Sequence, residues 1–285
     1  MHPEKITVMD IVRMSIVVAV LIFTLFPIYW MIMTSVKPTD LILRTPPVFF
    51  FQPTFEHYKY AFEQADFVHY ISNTLIIALG STLIVIVCGS LAAYAFARYN
   101  IGGGNLMFFI LTTRMMPAIA VVLPFFVIFR TVGDTGIGQF LQLGQDRLGT
   151  LIVCYTIFNL PFAIWLMHSF FQDIPVVLEY SARLDGYSRF AVFKRVVLPL
   201  AAPGIAVTAI FCLLFSWNEY LFASILTRDV AKTITVGVGD FWTQRGILWG
   251  PLSAAATVCV VPMILFALVL QRWMVRGLTF GAVRG

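Results

Sequence analysis

Charge is scarce in this sequence: 12% of its 285 residues are Asp, Glu, Lys or Arg, against about a quarter in an ordinary soluble domain. Its 60% hydrophobic residues therefore need a destination other than one core in water. The net charge of +5 is dispersed over separate segments, which excludes the basic tail or patch of a nucleic-acid binder. Cysteine is rare. Cys88, Cys154, Cys212 and Cys259 each sit inside an apolar run without CxxC spacing, and they read as small packing residues. His57, His69 and His168 lack ligand-type company, so no metal site is expected. No GxxxxGKS or GxxxxGKT pattern occurs, and the glycine-rich Ile101–Asn105 does not replace it. The chain itself is not expected to bind ATP. No nucleophile–base constellation is present either, so no catalytic residue is assigned and the chain reads as non-enzymatic.

What is abundant is the long apolar run. About 20 apolar residues cross a bilayer as a helix, and six segments qualify: Ile11 to Val36, His69 to Arg98, Leu106 to Phe129, Leu148 to Phe171, Ala201 to Leu226 and Ser253 to Met274. The expected fold class is an all-α membrane protein with six transmembrane helices. The first run is too long for the apolar part of a cleaved leader, and no small-residue cleavage site follows it, so it reads as a retained span. Pro27, Pro117, Pro124, Pro161 and Pro262 fall within spans, where neighbouring helices can re-satisfy the freed carbonyls. With the N-terminus placed in the cytoplasm, ten Lys/Arg fall on that side and eight outside, and the longer outer segments carry eight acids against five. Both termini are thereby expected in the cytoplasm. The organisation expected is a segment 1–68 with the first span and an outer loop, a membrane core 69–276, and a tail 277–285.

One loop breaks the composition. Glu179 to Pro199, EYSARLDGYSRFAVFKRVVLP, holds six charged residues in twenty-one. Asp173 can cap a helix with Pro175 in its first turn. That helix is expected to run to Asp185 and stop at Gly186 in a left-handed conformation. Ser188 can cap a second helix, which places Phe190, Phe193 and Val197 on one face until Pro199 ends it. Two amphipathic helices with mixed charge and apolar knobs form an elbow suited to docking. A solvated loop that only sets topology is the plainer alternative.

The same stretch resembles the EAA loop of ABC importer permeases, in which E-A-A, three residues and Gly are followed nine residues later by I-x-L-P. Gly186 is followed by nine residues and then by Val196, Val197, Leu198 and Pro199; Ser181 and Ala182 stand at the two alanines, and Asp185 at the usual Asp. Tyr180 replaces the motif Glu, with Glu179 one place earlier, about 100° away on a helix. WNEYLFASILT (Trp217 to Thr227), SVKPTD, LPFAIWLMHSFFQDIP and the ending RWMVRGLTFGAVRG resemble the carbohydrate branch of that family, the maltose-type permeases, so the resemblance covers essentially the whole chain. It implies the type I importer transmembrane fold with a coupling-helix loop at 173–200 in a bacterial cytoplasmic (inner) membrane. It implies a second permease subunit forming a heterodimer, two copies of a cytoplasmic ABC ATPase that bind ATP and Mg, an extracytoplasmic solute-binding protein, and a sugar-type substrate. Glu179, Ser181, Ala182, Asp185, Gly186, Tyr187 and Phe190 become the expected ATPase-coupling residues, and Gly281 to Gly285 a further ATPase contact.

Glu219 is the one acid inside an expected span, where an ionisable group normally faces a cavity or partner. Trp217, Asn218, Glu219 and Tyr220 suit a sugar, with aromatic faces for its C–H side and polar groups for its hydroxyls. Packing against the partner permease is the alternative. Arg114 can pair with Glu219, reach toward an interface, or meet an anionic substrate such as a sulfosugar or glycerol phosphate. A secondary transporter would also present kinked spans, but it would need neither the EAA spacing nor an ATPase.

Overall fold

The computed structural model describes residues 7–282 except 64, 100 and 245, and side chains up to residue 268. The chain divides into two compact units, Met1–Phe67 with Val238–Val261, and Val68–Gly237 with Pro262–Gly285.

In the first unit, α1 (Val8–Ser35) starts at a capping box. The Thr7 hydroxyl accepts from the Asp10 N–H, and the Asp10 carboxylate accepts from the Thr7 N–H at 3.0 Å. The apolar side chains of α1 are exposed over most of its length, so lipid or another chain must cover them. At its far end the chain turns back on a buried lysine. Lys37 Nζ lies 5.2 Å from the Trp30 ring centre and 5.3 Å from that of Phe51, while His57 Nε2 bonds the Lys37 carbonyl at 2.8 Å. Two aromatic faces replace part of the water this cation loses. This unit also holds short helices at Thr39–Ile42 and Glu56–Glu63, a 3-10 turn at Val238–Phe241, a two-residue ribbon, Trp242–Thr243 with Gly246–Ile247, and the start of the helix Trp249–Ala282.

The remaining long elements are α2 (Phe67–Tyr99), α3 (Gly103–Arg114), α4 (Ala118–Gly133) and α5 (Leu148–Gln172). The elbow arms follow as α6 (Val177–Leu184) and α7 (Arg189–Val192), the latter continuing through a π-turn over Phe193–Val197 and a last turn at Leu198–Leu200. Then come α8 (Ala202–Trp217), α9 (Leu221–Leu226) and α10 (Trp249–Ala282). Among the described residues four helices are long and apolar enough to span a membrane, and six spans result when each bent pair counts as one.

Two expected spans are broken. The third bends by 84° between α3 and α4, because Pro117 pushes the residue before it out of helical geometry and itself has ψ 120°. The fifth, expected from Ala201, is entered through a 77° bend between Leu200 and Ala202, with Pro203 in the first turn of α8, where no N–H is needed. It then stops at Trp217 rather than running to Leu226, and Asn218 to Tyr220 separate it from α9. Pro27, Pro124, Pro161 and Pro262, by contrast, lie inside continuous helices.

Helices α5 and α8 meet closely. A side chain at Gly204 would overlap the Phe170 ring. Overpacking of a filled interior typically costs about 1–3 kcal/mol, so Gly204→Val is expected to lower the amount of folded subunit in membranes, measured as monodisperse protein after detergent extraction. Yield equal to the parent would show that the two helices can part. A polar seam joins the same helices about three turns farther along: Ser81 of α2 and Ser216 of α8 lie 3.2 Å apart, and Asn159 of α5 donates to Ser216 at 3.0 Å. Such bonds hold helices together where lipid offers no partner.

Candidate functional site

The elbow is built by its punctuation. Gly186 has φ +87°, and beside it the Tyr187 N–H reaches the Ala182 carbonyl at 3.1 Å and the Gly186 N–H reaches that of Arg183 at 3.1 Å. This is a Schellman ending to α6. Ser188 caps α7 by accepting from the Ala191 N–H at 3.3 Å. Asp173 is the C-cap of α5 rather than the N-cap of the elbow, whose first arm opens at Val176. The three apolar residues expected on one face of the second arm separate: Phe193 and Val197 are buried and Phe190 is exposed. Pro199 does not end that arm but lies within it. Having no N–H for the Arg195 carbonyl, it follows a π-turn in which the Leu198 N–H reaches back to Phe193.

Helix α6 is inside out. Val177, Tyr180 and Leu184 recur three and four apart, so they share one stripe, and they are 63%, 62% and 89% exposed. On the opposite side the acid is buried. Glu179 accepts from Tyr94 Oη at 2.6 Å and from Arg98 Nε at 2.5 Å. Of the expected coupling residues, Ser181, Asp185, Gly186, Tyr187 and Phe190 lie on the open surface, while Glu179 and Ala182 face the interior. Tyr180, which stands at the motif Glu, and Leu184 were not among the expected coupling residues, yet both are exposed knobs of the first arm. Their spacing was the available signal. The C-terminal contact at Gly281 to Gly285 lies outside the residues whose side chains are described.

A second feature lies at the break in the third span. A cavity of about 210 Å³ is lined by Arg114, Tyr155, Asn159, Ser216 and Glu219 together with Phe215. Arg114 and Glu219 share it without pairing. The guanidinium donates to the Phe158 carbonyl and to Asn159 Oδ1 and sits 5.1 Å from the Phe215 ring centre. Glu219 accepts from Tyr155 Oη at 2.8 Å and from the N–H groups of Phe222 at 2.9 Å and Ala223 at 3.2 Å, which makes it the acid at the start of α9. The rest of the WNEY group does not join it. Trp217 is buried with its ring against Phe266 at 6.3 Å, and Asn218 and Tyr220 are exposed beyond the lining. Asn159, unnoticed in the sequence, takes their place. An amide in the middle of an apolar run was its only mark.

A third construction closes the same unit. Asp146, with φ +56°, points its carboxylate at the chain after α9 and accepts from the N–H groups of Arg228, Asp229, Val230 and Ala231 at 2.9 to 3.0 Å. Partial burial works to raise its pKa, but the four donors outweigh it and hold the carboxyl below its ordinary value. The same strap is fastened to α2, where His69 and Asn73 both bond the Val230 carbonyl at 2.8 Å.

A set of broken apolar helices that carries an exposed elbow and an interior polar cavity is that of a multi-span membrane protein. Residues 85–280 match the family described as binding-protein-dependent transport system inner membrane component, and the chain belongs to it. It is thus a membrane component of a transporter, and the secondary-transporter reading is set aside. It is 36% identical to the trehalose transport system permease protein SugB of Mycobacterium tuberculosis, over 92% of this chain and 93% of that one. It is 34% identical to the diacetylchitobiose uptake system permease protein DasC of Streptomyces coelicolor, over 94% and 96%. Its fold matches a chain of a bacterial ABC transporter involved in the import of the acidic polysaccharide alginate, with TM-score 0.75 and 21% identity over 93% of this chain and 96% of that one.

Proposed function

We propose that this chain is the sugar-importing permease half of an ATP-driven ABC transporter, and that its elbow docks on a cytoplasmic ATPase. The observation that carries the reading is the inverted α6, whose apolar stripe is turned out and whose acid is turned in. A cytoplasmic helix with that arrangement is finished only by a protein partner, and aromatic and apolar knobs supply the buried anchors of such an interface. Two ATPase copies would bind ATP and Mg and close on nucleotide. A second, different permease would complete the pathway, and an extracytoplasmic binding protein would deliver the cargo. Both termini and the elbow then share the cytoplasmic side. The trehalose and diacetylchitobiose relatives support a sugar, and a cavity that mixes Arg114, Asn159 and Glu219 with aromatic rings suits its hydroxyls and C–H faces. With Arg114 already held by a carbonyl and an amide, a neutral sugar fits better than an anionic derivative.

Co-purification tests the reading. The tagged chain, extracted from its native membranes in mild detergent, is expected to bring down an ABC ATPase and a second multi-span subunit identifiable by mass spectrometry. The associated binding protein, screened against trehalose, maltose and chitobiose by calorimetry, is expected to take one of them. A chain that stays alone after cross-linking in intact membranes would refute it.

A further inference from the structure

Glu179, the acid of the elbow's first arm, does not reach the surface at which an ATPase would dock. Its side chain is 8% exposed, and that of its partner Arg98 is 7% exposed. Tyr94 and Arg98 lie one helical turn apart at the end of α2, so both reach the same side, and both bond Glu179. Arg98 also donates from Nη2 to the Ile174 carbonyl at 2.9 Å, in the link between α5 and the elbow. The Tyr94 ring lies 5.8 Å from that of Phe171 on α5 and 4.9 Å from that of Phe193 on the second arm. Both arms and the α5 junction thus converge on one turn of α2. An ion pair held in this way resists separation, because either partner alone would be a buried unpaired charge.

We propose that Tyr94, Arg98 and Glu179 form a clamp that makes the elbow and α2 move as one body, so that Glu179 is a positioning residue for coupling rather than a docking residue. The inference rests on the ABC-permease reading. The partner surface pushes on Tyr180, Leu184 and Phe190, and the displacement enters the membrane through Glu179 and Arg98. Loss of the clamp leaves the docking knobs in place but lets the elbow move without α2.

The test uses the assembled transporter in proteoliposomes with its binding protein, and it reads ATPase capture, hydrolysis and uptake separately. Glu179→Gln is expected to retain the ATPase on purification while sugar transported per ATP falls roughly tenfold. Exchanging the pair, Glu179→Arg with Arg98→Glu, is expected to restore part of that ratio. Tyr94→Phe keeps the ring packing and removes one bond, so it is expected to fold normally and show a smaller fall in the same ratio. It decides the matter should Glu179→Gln fail to insert. An unchanged transport-to-hydrolysis ratio in Tyr94→Phe and in any inserted Glu179→Gln would overturn the clamp. So would loss of ATPase capture in Tyr94→Phe, which would return Glu179 to the docking surface. Absence of any ATPase from the parent complex would instead defeat the ABC reading.

Discussion

Gly186→Val is expected to cost the permease its ATPase. At φ +87° Gly186 occupies the left-handed region, which a β-branched residue enters only under strain. Nothing lies within 4 Å of a Cβ placed there, so the penalty is conformational rather than steric. Holding a residue in such a region costs of order 1–3 kcal/mol, and about 2 kcal/mol corresponds to roughly a thirtyfold loss in the population of the native elbow. The bonds from Tyr187 to Ala182 and from Gly186 to Arg183 depend on that conformation, and they set the angle between the two arms. ATPase recovered with the tagged subunit and sugar uptake are both expected to fall, while the amount of subunit in the membrane stays near that of the parent. Gly186→Asn, which tolerates left-handed geometry better than other side chains, is expected to keep most of both. Normal assembly and uptake in Gly186→Val would mean that the elbow needs no fixed angle.

The elbow was legible because its signals are local. A glycine, a following serine and a proline at set distances are each a backbone instruction, and the structure follows the first two. The six apolar runs were legible for the same reason, by length. What could not be read depends on partners far along the chain. Glu179 meets Arg98 across 81 residues, and the strap meets Asp146 across 82 to 85. Hydrophobic patterning alone would bury Val177, Tyr180 and Leu184 and expose Glu179; the structure does the reverse. The break at Asn218 was hidden too, because WNEY lies within an unbroken apolar stretch and its acid looks like a site residue. In the fold that acid starts a helix.

Asp146→Asn is expected to unfasten the strap. Asparagine is among the residues that tolerate φ near +56°, so the exchange isolates the charge and half the acceptor capacity. Bonds from N–H groups to a carboxylate are worth more than neutral ones, but this carboxylate is partly open to solvent, which screens it. A loss of about 1.5 kcal/mol is expected, or roughly tenfold faster hydrogen exchange at the amides of Arg228 to Ala231. The sign of the pH dependence follows from the depressed folded pKa. The latch is fully present above the unfolded carboxylate value of about 4 and is lost as pH falls through the lower folded value. The parent should therefore loosen in acid, after correction for intrinsic exchange, while Asp146→Asn should not respond. Equal protection in both proteins at neutral pH would remove the latch. The effect should also reach the interior. The strap runs on to Thr235, whose hydroxyl bonds the Glu219 carbonyl at 2.7 Å, and Glu219 holds Tyr155 at the cavity wall. A loosened strap frees the turn that positions the cavity's only acid among the described residues, so uptake should fall in Asp146→Asn even though ATPase capture at the opposite end of the bundle is unchanged.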